Sequence, residues 1–125
     1  LVTREYPDVN FVLDLIHSAK GVAVMAHPVM FNNTELLLEL IEAGKLDGIE
    51  AYHHSATPTQ QQKLVDIAKE HDLIVTGGSD FHGLYNETMT HIGSMTTDKE
   101  NLDKLFKLIH INSQKANKAA VKTDK

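Results

Sequence analysis

The sequence has no cysteine and no tryptophan, only three prolines, and a single arginine, Arg4. Without cysteine there can be neither disulfides nor thiolate metal sites, so a metal here must be held by nitrogen and oxygen, and nothing marks an oxidising compartment. No apolar run approaches the roughly 18 to 20 residues of a membrane span. No signal peptide is visible, and a cytoplasmic protein that engages no membrane is the expectation. A formal charge of −5 over 125 residues argues against the broad basic surface that duplex DNA demands, although a local site can still take phosphates. There is no GxGxxG or Walker-type loop to cradle a nucleotide cofactor. The chain opens on Leu1 and not on methionine, and the expectation is that a segment precedes it.

What is present is a 42% hydrophobic content, enough for a core, and eight histidines. Helical and strand-like patterns alternate. Asp8 can cap a helix whose apolar face is Phe11, Val12, Leu15, Ile16 and Ala19, ended by Gly21. "GVAVMAHP" is the unbroken apolar run of a buried parallel strand. Asn33 or Thr34 then opens a helix that stops at Gly44, and "LDGIEAY" reads as a second strand. Thr57 as N-cap, Pro58 at the first helical position and Gln60 completing a capping box open the next helix, with Leu64, Ile67 and Ala68 on its apolar side. "LIVTGG" is a third strand and "HIGSMTT" a weaker fourth; Asp98 caps a last helix with Leu102, Leu105, Phe106 and Ile109 on one face. Residues 113–125, rich in Lys, Ala, Asn and Gln, are expected to be a polar, disordered tail beyond a domain of residues 1–112.

This alternation predicts an α/β fold with a parallel sheet and helical crossovers. Ligands in such folds bind at the carboxyl ends of the strands. His27 follows the first strand, Glu50, His53 and His54 close the second, and Asp80 and His82 follow the third. Imidazoles and carboxylates delivered to one rim make a metal site, for these are the nitrogen and oxygen ligands of Zn, Mn or Fe. His17, His71 and His110 fall in or beside helices near their C-terminal ends, where an imidazole suits the helix dipole and needs no further role.

"VAVMAHP", "DGIEAY" and "TGGSDFHG", in this order and spacing, resemble the second half of a polymerase and histidinol phosphatase (PHP) domain, in particular its stand-alone phosphoesterases acting on nucleoside bisphosphates or on the 5′ ends of short RNA. The resemblance implies the C-terminal part of a distorted, TIM-barrel-like (β/α)7 barrel that holds two or three divalent ions when complete. Carried over motif by motif, it implies that His27, Asp80 and His82 bind metal. Two features depart from the family pattern. Its opening HxH motif has no counterpart here, and a histidine six residues after the glutamate of "GIE" is replaced by Ala56, with His53 and His54 nearby instead. Those two are read as candidate catalytic residues, through a phosphate contact or an outer metal role, or else as solvent-facing; Glu50 is read as structural. The resemblance implies a metal-dependent phosphoesterase taking a small phosphorylated substrate, a nucleotide or short RNA, with these 125 residues inactive on their own. Amide or ester hydrolysis on the same scaffold, and a non-catalytic structural domain, are the alternatives.

Overall fold

The computed structural model describes residues 5–83 and 90–123; Arg4 and the start of the chain lie outside them. Its elements run α1 (Val9–Ser18), β1 (Val24–Met25), α2 (Thr34–Glu42), β2 (Gly48–Tyr52), α3 (Pro58–Glu70), β3 (Ile74–Gly77) and α4 (Lys99–Thr123). The three strands pair in the order β1-β2-β3, both pairings parallel, so a helix carries the chain from each strand to the next. Parallel strands cannot be joined by a tight turn, which is why each link is a whole helix. The register sets Val24 beside Gly48 and Gly48 beside Ile74, so all three strands end at the same rim.

Local chemistry explains the boundaries. Asp8 Oδ1 accepts the amides of Asn10 and Phe11 at 2.9 and 3.2 Å and starts α1. At α3 the capping box is complete: Thr57 Oγ1 accepts the Gln60 amide and Gln60 Oε1 accepts that of Thr57. Asn33 caps α2 without a side-chain bond. Gly44 takes the left-handed conformation, φ +64°, that ends this helix at little cost. Asp98 accepts the Asn101 amide and starts α4.

The core is Leu13 of α1, Leu37, Leu40 and Ile41 of α2, Leu64, Val65 and Ala68 of α3, and Ile49, Ala51 and Val75 of the sheet, with Ala23 and Leu46 at strand entries. Two expectations about faces change. In α1 Leu13 is the buried residue, supported by Val9 and Ile16, while Phe11 and Leu15 are exposed. The spacing reveals an apolar stripe but not which edge of it meets the sheet. In α4 Leu102, Phe106 and Ile109 are likewise exposed. The helix runs alongside β3, held by Asn101 Oδ1 to the Val75 amide at 2.9 Å, and directs this stripe elsewhere.

Three further readings are corrected. "HIGSMTT" supplies no strand, only the antiparallel bridge of Thr96 to Gly78; Gly93, at φ +80°, interrupts the extended run. The polar tail is not irregular: α4 continues through Thr123, because Ala, Lys and Gln are good helix formers even where too few apolar residues exist to pack. His110 therefore sits inside α4, its Nε2 2.8 Å from Gln114 Nε2, and not near a helix end. Measured by urea unfolding, Leu37→Ala should cost about 2 to 5 kcal/mol, whereas Phe11→Ala should stay within about 0.5 kcal/mol. Equal losses would place Phe11 in the core.

Candidate functional site

β2 delivers the site. Ile49 enters the core, so its neighbour Glu50 turns to the other face of the strand. There Glu50 Oε2 accepts the His27 amide at 2.8 Å, across the gap to the end of β1. On the other side, a Cβ built on Gly78 would stand 2.8 Å from Glu50 Oε1, so glycine is what lets the turn after β3 approach this carboxylate. One carboxylate thus spans all three strand ends.

Between Glu50 and Tyr52 the register with β3 slips, with Glu50 beside Thr76 but Tyr52 beside Gly77. This irregularity re-aims the strand end, as bulges do, just before His53. His53 is buried, 1% exposed, and not solvent-facing. Its ring lies 4.9 Å from that of His27 and 4.1 Å from that of His54, and its Nε2 is 3.5 Å from Asp80 Oδ2. His53 therefore stands between two of the residues assigned to metal from the sequence. The Ser55 amide donates to His53 Nδ1 at 3.2 Å, with Ser55 Oγ at 2.8 Å. An N–H can only donate, so in the neutral ring the proton sits on Nε2, facing Asp80. Gln61 Nε2 donates to the carbonyls of His53 and Ala56 and fixes the loop from α3. Ser55 and Gln61 escaped the sequence reading; the only trace of them was the capping box that places Gln61 on the first turn of α3.

The third strand end is built from strained backbone. Asp80 is left-handed at φ +51°, as is His27 at φ +26°, a costly conformation for residues with a Cβ. Asp80 turns its carboxylate between His53 and His82, with His82 Nδ1 3.4 Å from Oδ1. His82 Nδ1 donates to the carbonyl of Asp80 at 2.6 Å. A carbonyl only accepts, so Nδ1 of His82 carries the proton and Nε2 keeps its lone pair, the state a metal-binding imidazole needs. His82 remains exposed.

Three buried imidazole nitrogens, His27 Nδ1, His53 Nε2 and His54 Nδ1, have no hydrogen-bond partner among the described residues. Leaving a buried polar atom unsatisfied costs about 1 to 3 kcal/mol, so three at one rim point to something that joins them. A divalent cation suits imidazole lone pairs and the Asp80 carboxylate in kind, whereas His53 Nε2, which carries its ring's proton, can only donate. In number the set is short: among the described residues no three His, Asp or Glu side chains are grouped to hold an ion. Of the other histidines, His17 Nε2 donates to Asp47 Oδ2 at 3.1 Å, and His71 caps α3. Both are far in the fold from the strand carboxyl ends and do structural work.

No protein-family model matches the chain. Over 89 residues it is 34% identical to a phosphoribosyl 1,2-cyclic phosphate 1,2-diphosphodiesterase of Eggerthella lenta, covering 71% of the chain and 33% of that protein. It is 38% identical over 85 residues to a 5′-3′ exoribonuclease of Haemophilus influenzae, covering 65% of the chain and 31% of the relative. The crystal structure of a candidate metal-dependent phosphoesterase from Bifidobacterium adolescentis superposes with a TM-score of 0.73 at 32% identity, over 86% of the chain and 38% of that protein. By sequence and by fold, the chain is related to the PHP-type phosphoesterases. It spans about a third of the length of the curated relatives it matches. No helix among the described residues is long and apolar enough to cross a membrane.

Burial holds the His53 imidazole below its ordinary pKa; His54 and His27 add to the depression, while Glu50 and Asp80 oppose it. The unfolded chain takes up this proton near pH ~6.5 and the folded chain only at lower pH. The contribution to stability is therefore complete above pH ~6.5 and is lost as pH falls through the folded value. For the metal-free chain, urea midpoints should drop from about pH 7 toward about pH 5, and His53→Gln should flatten that fall. An unchanged slope in the variant would mean that His53 is not buried as a neutral ring.

Proposed function

We propose that this chain is the C-terminal part of a PHP-type barrel and that the protein hydrolyses phosphate esters with the help of divalent cations. The observation that carries this reading is the row of partnerless imidazole nitrogens beside Asp80, at the strand ends of a chain related to phosphoesterases. The sequential order β1-β2-β3 with a helix after each strand is the connectivity that a closing (β/α) barrel repeats. His27, Asp80 and His82 would hold metal, Mn, Zn or Fe being the ions that favour such ligands. Bound there, divalent ions lower the pKa of a water molecule and spread the charge that develops on the phosphate.

The chain's own residues have separate tasks. His53, with its proton on Nε2, offers a donor to a phosphate oxygen, and its burial keeps water from competing for that bond. His54, stacked on His53 at 4.1 Å, offers a second nitrogen at the same rim. Glu50 keeps the His27 backbone and the Gly78 turn in place. Arg4 was the one arginine available for a phosphate clamp, and it lies outside the described residues. Further ligands and phosphate contacts would belong to a preceding segment matching the rest of the relatives, and the substrate would be a nucleotide, a nucleoside bisphosphate or the 5′ end of a short RNA in the cytoplasm.

In the protein extended to the length of its relatives and supplied with Mn²⁺, Asp80→Ala should lose bound metal and reduce hydrolysis by more than the roughly 10 to 100-fold typical of lost outer contacts. His53→Ala or His54→Ala should lower kcat or raise KM with metal content kept. The assay is hydrolysis of nucleoside 3′,5′-bisphosphate and 5′-phosphorylated oligoribonucleotides, with metal analysis of each variant. Full activity and full metal content in Asp80→Ala would defeat the assignment.

A further inference from the structure

We propose that Phe31 is a stacking platform for a nucleobase at the mouth of this site, so that the phosphate ester it takes is a nucleotide or an RNA end and not a base-free sugar phosphate. The proposal rests on the phosphoesterase reading and names the residue that would recognise the base of its substrate. The two kinds of relative differ on this point, one acting on a phosphoribosyl cyclic phosphate and the other on RNA.

Phe31 follows the β1 end by a tight turn. The Met30 amide donates to the His27 carbonyl at 3.0 Å, that of Asn32 to Val29 at 3.2 Å and that of Asn33 to Pro28 at 2.9 Å. Pro28 itself is fully buried. The backbone under Phe31 is thus anchored, yet its side chain is 65% exposed. Its ring stands edge-on to His27, with centroids 5.8 Å apart and planes at 64°. From there the rings continue through His27 and His53 to His54. An aromatic face is therefore presented to solvent about one ring beyond the row of partnerless nitrogens, much as a base lies one ribose beyond its phosphate. Phe81, 40% exposed, stands between Asp80 and His82 and adds a second aromatic to the same rim. The other exposed apolar side chains of α1 and α4 lie along helix flanks and bear no relation to the imidazoles.

Stacking on phenylalanine accepts any base, since every base has a π-face. It gives nothing to a sugar phosphate. The test is NMR titration of the protein extended to the length of its relatives and loaded with Zn²⁺, using AMP, ribose 5-phosphate and inorganic phosphate and following the ring protons of His27, His53 and Phe31. All three probes should shift the histidines, and only AMP should shift Phe31. AMP should bind about tenfold more tightly than ribose 5-phosphate, which corresponds to about 1.4 kcal/mol. Phe31→Ala should erase that preference and Phe31→Tyr should keep it. Equal affinity for AMP and ribose 5-phosphate in the unaltered chain, or a preference that survives Phe31→Ala, overturns the proposal; survival that ends with Phe81→Ala assigns the platform to Phe81 instead. If none of the three probes moves the histidine rings, the phosphoesterase reading itself fails and takes this one with it.

Discussion

Everything at the strand ends depends on where one carboxylate is placed. Glu50 sits on the central strand, accepts the His27 amide on one side and fills on the other the space that Gly78 leaves by having no side chain. A backbone amide can be held by a carboxylate only from within about 3 Å, so this bond fixes the end of β1 relative to β2. On the other side, the absence of a Cβ at Gly78 lets the turn after β3 pass close to the same carboxylate. His27, in left-handed backbone, is thus tied to this side chain through its amide, while Asp80, also left-handed, follows two residues after the glycine. Strain of this kind, of order 1 to 3 kcal/mol per residue, persists only where the surroundings over-determine the conformation, and for His27 the Glu50 bond is part of what does so.

That arrangement separates holding from reacting. The groups with satisfied bonds are those that fix geometry: Glu50 to the His27 amide, Ser55 to His53 Nδ1, Gln61 to the loop carbonyls, and Asp80 through its carbonyl to His82. The atoms left without partners are the outward nitrogens of three imidazoles. Each ring is oriented by a bond on the backbone or on its other nitrogen, or by its neighbours, and this leaves a nitrogen toward the shared space. Such preorganisation is what a binding site requires before any ligand arrives.

Much of this was legible in the sequence, and the limits have physical causes. The three strands and the α3 capping box were readable because apolar runs and cap chemistry are local. The placement of His27, Glu50, His53, His54, Asp80 and His82 at one rim followed from parallel topology alone. Burial was harder. Phe11 and Leu15 share a stripe with Ile16, but which edge of an amphipathic helix meets a sheet depends on crossing geometry that spacing does not encode. The helical course of residues 113–123 was missed because low hydropathy was weighed above the helix propensity of Ala, Lys and Gln. That His53 would be enclosed, with Ser55 setting its tautomer, depends on the register slip after Glu50, and no local pattern in "EAYHHSA" announces a slip.

The charge balance of the rim carries the argument one step further. No arginine lies among the described residues, and the His53 ring is held toward its neutral form chiefly by burial. Glu50 and Asp80 both bring acceptor atoms to the same place. The rim as built by this chain is therefore neutral to negative, and it would repel a phosphate dianion approaching it alone. Positive charge would come with the cations that His27, Asp80 and His82 are proposed to hold, or with phosphate contacts from outside the described residues. On the proposed reading His53 would have a limited part: a neutral N–H beside Asp80 could orient a phosphate oxygen and donate to it, while the larger electrostatic demand would fall on the bound cations. If the rim holds cations as proposed, anion recognition by this chain's residues would be coupled to cation binding, since no arginine lies among the described residues to serve the anion alone.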